Sequence, residues 1–183
     1  MKEISRIKCL CCKKKNLNEI INLGNHSFAD RFIPKNKQNI KDPKYPLVID
    51  LCKDCKFIQS RIITSPKNRY IELDYSYTSS NSNYARSHWK NFAQFLDNKI
   101  DLKDKKIFEI GSNDGFLISI LKSKGANVLG IDASKFMVKL SKKNKINAVH
   151  SVFSFKESFK IKKIFGKADI IIANNVFNHS NEP

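Results

Sequence analysis

The sequence predicts an α/β protein: a parallel sheet in its second part, with a small cysteine-stapled module ahead of it. Three observations carry this. Strand and helix patterns alternate from residue 84 onward, a glycine turn joins an apolar strand to a helix in KKIFEIGSNDGFLISIL (105–121), and all five cysteines lie in the first 55 residues. Such alternation argues for parallel strands joined by right-handed helical crossovers.

The first part, to about Tyr70, holds every cysteine and all prolines but Pro183, and its apolar runs are short, so it reads as a loop-rich module. The polar, turn-like DYSYTSSNSNY at 74–84 marks the boundary, giving domains 1–75 and 76–183. Ala85, Trp89, Phe92, Ala93 and Leu96 then recur at helical spacing, predicting an amphipathic helix that ends before DNKIDLKD. KIFEI is the first strand of the sheet, GFLISILKSK a helix stopped by Gly125, and NVLGI the second strand. SKFMVKLSKKN is a helix capped by Ser134, NAVHS a weak third strand, FKESFKIKKIF a helix, and ADIIIANNVF a fourth strand apolar enough to be buried on both faces. A doubly wound sheet would need strands beyond these. The ending is therefore read either as that of a fragment or as leaving an unpaired apolar edge.

The chain has 183 residues and a formal charge of +17. No apolar run approaches the roughly 18 residues of a membrane span, and MKEISRIKCLCC lacks the apolar segment of a secretory signal, so a cytoplasmic location is expected. A strongly basic chain suggests a nucleic-acid partner. Here, however, the excess is lysine, with Arg only at 6, 31, 61, 69 and 86, in a chain crowded with Asn and Ile as AT-rich coding would enrich. The lysines are spread evenly and rarely alternate with aromatics, which favours a solvated surface over a nucleic-acid footprint.

Cys9 and Cys12 form one C-x-x-C pair, and Cys52 and Cys55 another. Four thiolates in a reducing compartment suit a closed, structural zinc site, with a disulfide or redox pair as the alternative. The 39 intervening residues must fold back on themselves, and Cys11 in place of Cys12 stays compatible with the sequence.

The glycine loop does not fit G-x-G-x-x-G, the pattern that brings a pyrophosphate close to a helix N-terminus. Glu109-Ile-Gly111-Ser-Asn113-Asp114-Gly115 suits S-adenosylmethionine better. That cofactor has no phosphate, and its ammonium and sulfonium match an acidic strand end. Asp132, at the end of the second strand, is placed to accept hydrogen bonds from ribose hydroxyls, although nicotinamide sites share this feature. The competing interpretation is an ordinary strand-end turn with Asp132 as a helix cap.

With these residues in place, the chain resembles the bacterial C-methyltransferases of nucleotide-linked keto-deoxysugars. The resemblance rests on the two cysteine knuckles, LGNHSFADRFI (23–33), YPLVIDLCKDCKFIQ (45–59), LDYSYTSSNS (73–82), EIGSNDGFL (109–117) and ADIIIANNVFNH (168–179). It implies an N-terminal zinc-binding domain before a Rossmann-like class I methyltransferase sheet, here the first four strands, with the family's C-terminal domain absent. It further implies zinc on Cys9, Cys12, Cys52 and Cys55, and a cofactor loop shaped by Gly111, Asn113 and Asp114. Asp132 would hold the ribose, Asn175 and His179 would line the cleft, and Tyr75 or Tyr77 would reach the active site. The family commonly has Glu-Pro-Ser where this chain has Asp132-Ala-Ser134.

The implied chemistry is proton abstraction beside a ketone and attack of the enolate on the sulfonium methyl, with His179 as the candidate base and the tyrosines as donors. His26, His88 and His150 have no such neighbours in sequence. Two rival readings are a nucleic-acid methyltransferase with a zinc ribbon and a non-catalytic module that keeps zinc and cofactor. NNVFNH lacks the Asn/Asp-Pro-Pro-aromatic tetrapeptide of base amino-methylation, which argues against the first.

Overall fold

The computed structural model describes residues 4–29, 33, 35–37, 39, 42–66, 69–70 and 77–181. These fall into two compact units, Met1–Leu73 with His179–Pro183, and Asp74–Asn178.

The first unit is built from antiparallel strands. β1 (Ile4–Ser5) pairs with β5 (Ile62–Ile63), and β2 (Leu17–His26), β3 (Tyr45–Cys52) and β4 (Ile58–Ser60) form a sheet in the order β2-β3-β4. The sequence reading expected mostly loops here. The difference lies in β2, whose LNEIINLGNH has no clean apolar alternation because nearly all of it is exposed and its ladder to β3 slips twice. β3 does alternate, with Val48, Asp50 and Cys52 buried on one face. Asp50 can be buried because Arg61 grips it with two nitrogens, at 3.0 and 2.6 Å, while a third reaches Glu19 at 2.8 Å.

The second unit opens with α1 (Asn83–Lys99), capped by Ser82, whose hydroxyl accepts from Ala85 N. It continues past the expected stop at Asp97, closing when Ile100 N–H bonds to Leu96 O. Next come β6 (Lys106–Ile110), α2 (Phe116–Ser123), β7 (Asn127–Asp132), α3 (Lys135–Lys143), β8 (Ala148–His150), α4 (Phe155–Phe165) and β9 (Ile170–Ile172). All four strands are parallel, in the order β8-β7-β6-β9. Successive residues of β6 serve opposite layers. Ile107 packs with Ala93 of α1 and with Leu117, Ile118 and Leu121 of α2, while Phe108 packs with Leu129, Ile131 and Ile161 of α4. Fully burying each such side chain contributes about 1.5–3 kcal/mol.

β9 corrects one expectation. The apolar run was read as a strand over 168–177 buried on both faces, yet only Ile170–Ile172 is strand, and Ile171 is 63% exposed. Among the described residues β9 pairs with β6 alone, so its other edge is unpaired, and the exposure of Ile171 shows one of its faces uncovered. Asn175 then takes φ 55°, which turns the chain out of the sheet.

Candidate metal centre and cofactor site

The two cysteine pairs are folded alike. Cys9 N–H donates to Lys14 O and its carbonyl accepts from Lys13 N; Cys52 N–H donates to Phe57 O and its carbonyl accepts from Lys56 N. Lys13 and Lys56 are both left-handed, at φ 62° and 64°. Two tight knuckles facing each other place four sulfurs together. Cys9 Sγ lies 3.6 Å from Cys55 Sγ, Cys12 Sγ lies 3.6 Å from Cys52 Sγ, and all four are within 4.8 Å of one another. A tetrahedral site with zinc–sulfur bonds of about 2.3 Å has sulfur–sulfur edges of about 3.8 Å, so the donor set fits zinc. Gln59 fixes the first knuckle by accepting from Leu10 N and donating to Lys8 O, at 2.8 and 3.2 Å. Cys11 is exposed and stands outside the cluster. Four cysteines fill a tetrahedron and leave no position for water, so such a metal is structural.

In the second unit, the segment between β6 and α2 turns through left-handed conformations at Gly111, Asn113 and Gly115, with φ of 68°, 50° and 76°. Glycine suits the first and last positions, and asparagine is among the few side-chain-bearing residues that accept the middle one. The loop is braced from β7. Gly111 N and Ser112 N both donate to Ile131 O, and the Asp132 carboxylate accepts from Asn113 N at 2.9 Å and Ser134 N at 2.8 Å. Asp132 thus braces the loop and holds Ser134, the residue that caps α3, with acceptor capacity left on both oxygens. Its pKa is raised by burial, against the lowering effect of those two N–H groups.

Glu109, at the end of β6, is 5% exposed, and its Oε2 has no hydrogen-bond partner among the described residues. Burial, then the neighbouring charges of Asp132 and Asp114, push its pKa well above the usual carboxylate range. Two more buried polar atoms lack partners among the described residues: Ser112 Oγ, which packs over Gly130 of β7 beneath the loop, and Asn174 Nδ2 just beyond β9. Natural structures rarely leave such atoms unpaired, so Glu109 Oε2 near the end of β6 and Asn174 Nδ2 just beyond the adjacent β9 mark a place for a polar ligand.

Among the other residues singled out from sequence, Asp114 is buried and its carboxylate is fully engaged by Ser79, Ser80 and Phe116 N. Asn175 is exposed, and it is its neighbour Asn174 that turns an amide inward. The doubled asparagine was the available signal, and nothing in it told the two apart. Ser112 gave no signal at all. Tyr77 is 45% exposed, and its carbonyl accepts from Asn113 Nδ2. Tyr75 lies outside the described residues. His179 groups with the first unit, where partial desolvation and the charge of Arg69 lower its pKa.

Residues 108–183 match the methyltransferase domain family. Residues 9–70 match a second family, described as "Putative zinc binding domain". The parallel sheet is therefore that of a class I S-adenosylmethionine-binding methyltransferase, with a zinc-binding cysteine cluster before it. The chain is 18% identical over 173 residues to the C-methyltransferase NovU of Streptomyces niveus, a match covering 94% of this chain and 41% of that protein. It is 38% identical over 81 residues to a "Putative protein N5-glutamine methyltransferase" of Methanocaldococcus jannaschii, covering 43% of this chain and 40% of the other. The chain thus spans about two fifths of the length of each of these relatives. A solved structure of magnesium protoporphyrin IX methyltransferase from Synechocystis, with bound cofactor, overlaps 52% of this chain and 46% of its own at a TM-score of 0.41 and 20% identity. In the methyltransferase unit, no helix of the described residues is long and apolar enough to cross a membrane, and the same holds for the first unit.

Proposed function

We propose that this chain carries the cofactor-binding part of an S-adenosylmethionine-dependent C-methyltransferase that acts on a small keto-sugar linked to a nucleotide. The observation that carries the cofactor is the buried, unpartnered Oε2 of Glu109, flanked by the carboxylates of Asp132 and Asp114. In a chain of +17, an acidic cluster at the strand ends selects for a cation and against a pyrophosphate. Glu109 would hold the ammonium end, Asp132 the ribose, and Gly111 would let the backbone come close. Asn174 would supply a further polar contact.

When bound, S-adenosylmethionine supplies an electrophilic methyl on a sulfonium centre. The residues must then generate a carbon nucleophile. His179, kept neutral near pH 7 by its lowered pKa, has the chemistry to take the proton from the carbon beside the ketone. Tyr77 or Tyr75 has the chemistry to donate to the enolate oxygen. Support for carbon rather than nitrogen as the acceptor comes from the extent of the match to NovU, which takes in both the cysteine module and the sheet. The chain also places Asn174-Asn175-Val176-Phe177 where amino-methylating enzymes of bases carry prolines.

Calorimetry with S-adenosylmethionine, S-adenosylhomocysteine and NAD tests the cofactor. The first two should bind, and binding of NAD alone overturns the reading. For the substrate, a panel of nucleotide-linked keto-deoxysugars incubated with methyl-labelled cofactor should show label on carbon, stable to acid and base. Label confined to nitrogen or oxygen overturns the carbon assignment.

A further inference from the structure

Residues 77–80 are stitched to the cofactor loop more tightly than a connecting segment requires. Asn113 Oδ1 accepts from Ser79 N at 2.9 Å, and its Nδ2 donates to Tyr77 O at 2.8 Å. Asp114 receives the Ser79 and Ser80 hydroxyls, both at 2.5 Å, and Ser80 N at 3.2 Å. From the other side, Arg86 of α1 donates to Ser80 O at 2.6 Å.

The two loop residues divide the work. Asp114, 3% exposed, spends its carboxylate on this segment and on Phe116 N, so it is a clamp and leaves nothing for a ligand. Asn113 is connected in both directions, because its own N–H donates to Asp132 Oδ2 while both ends of its amide hold residues 77–80. Its left-handed φ of 50° is the conformation in which this bridge is made. A ligand that engages Asp132 thereby stiffens a group that Asn113 joins directly to residues 77–80, and the segment bearing Tyr77 must share that stiffness.

We propose that Asn113 is a positioning residue that couples occupancy of the cofactor site to the placement of Tyr77. The coupling rests on the methyltransferase reading above; the clamp itself does not. Asn113→Gly is the informative variant, since it tolerates the left-handed backbone and removes the amide, although it also frees the backbone at that position. Hydrogen exchange read by mass spectrometry on the full chain should show residues 77–80 protected, and further protected by S-adenosylhomocysteine. In Asn113→Gly, exchange at 77–80 should be about tenfold faster without ligand, the loss of roughly one to two hydrogen bonds. The ligand should still bind by calorimetry yet no longer slow exchange there, while α2 and β7 keep their protection. A merely structural role would loosen 77–80 without abolishing its response to ligand. Equal exchange in wild type and variant overturns the proposal, as does wild-type binding with no slowing at 77–80. Absence of any binding by the wild type overturns the methyltransferase reading instead, and the ligand-free comparison still decides the clamp.

Discussion

The Cγ2 of Val176 fills the space that a side chain on Gly111 would need. Gly111 follows β6 and Val176 follows β9, so this contact joins the segments that leave the carboxyl ends of two adjacent parallel strands. Substituting Gly111→Ala should cost twice over. The left-handed φ of 68° strains any side chain, by about 1 kcal/mol, and overpacking against Val176 adds about 1–3 kcal/mol. Adding Val176→Ala should recover the packing part and leave the backbone part. Urea unfolding of the two single variants and the double checks this, with strict additivity as the result that denies the contact.

The cysteine cluster makes a prediction that separates Cys12 from Cys11. Purified protein should contain about one zinc per chain, Cys11→Ser should keep it, and Cys12→Ser should lose it. With the donor set broken, the knuckles at Cys9 and Cys52 lose their shared anchor and the module should lose stability, because metal-binding free energy is folding free energy in such modules. Metal analysis with circular dichroism before and after chelation reads both effects. Loss of zinc from Cys11→Ser would mean that the ligand set is different.

Most of the second unit was legible in the sequence because its order is local. Three apolar strands and a weaker one at NAVHS, the helices between them, and the glycine turn at Gly111 and Gly115 are each written within a dozen residues. What stayed hidden depends on distant partners. β2 is a strand because β3 lies beside it, and its own side chains are mostly exposed. β9 was overestimated because Ala173, Val176 and Phe177 extend the apolar run on both sides of the asparagines, whereas Asn175 turns the backbone. The engagement of Asp114 by Ser79 and Ser80 spans about 35 positions, so the sequence showed an acid in a loop and gave no sign that its acceptors were taken. For Glu109 the residue type and strand-end position were readable. Its burial and missing partner were not.

That missing partner sets a pH dependence whose sign can be worked out. Burial first, then Asp132 and Asp114, raise the pKa of Glu109 in the folded state above its unfolded value. Between those two values the ligand-free folded protein holds a proton that the unfolded chain releases, so stability falls as pH rises through the window. A cationic ligand favours the carboxylate and reverses the preference. Binding of S-adenosylhomocysteine should therefore release a proton and tighten with rising pH until Glu109 is ionised in the free protein. Glu109→Gln should flatten both trends, make the ligand-free protein more stable on the alkaline side, and weaken binding by about tenfold to a hundredfold, the usual range for a hydrogen bond to a charged group. Melting temperatures across pH, and calorimetry in buffers of differing ionisation enthalpy, measure the two effects separately. An unchanged proton count in Glu109→Gln would move the proton to another group, with Asp132, also raised by burial, the next to substitute.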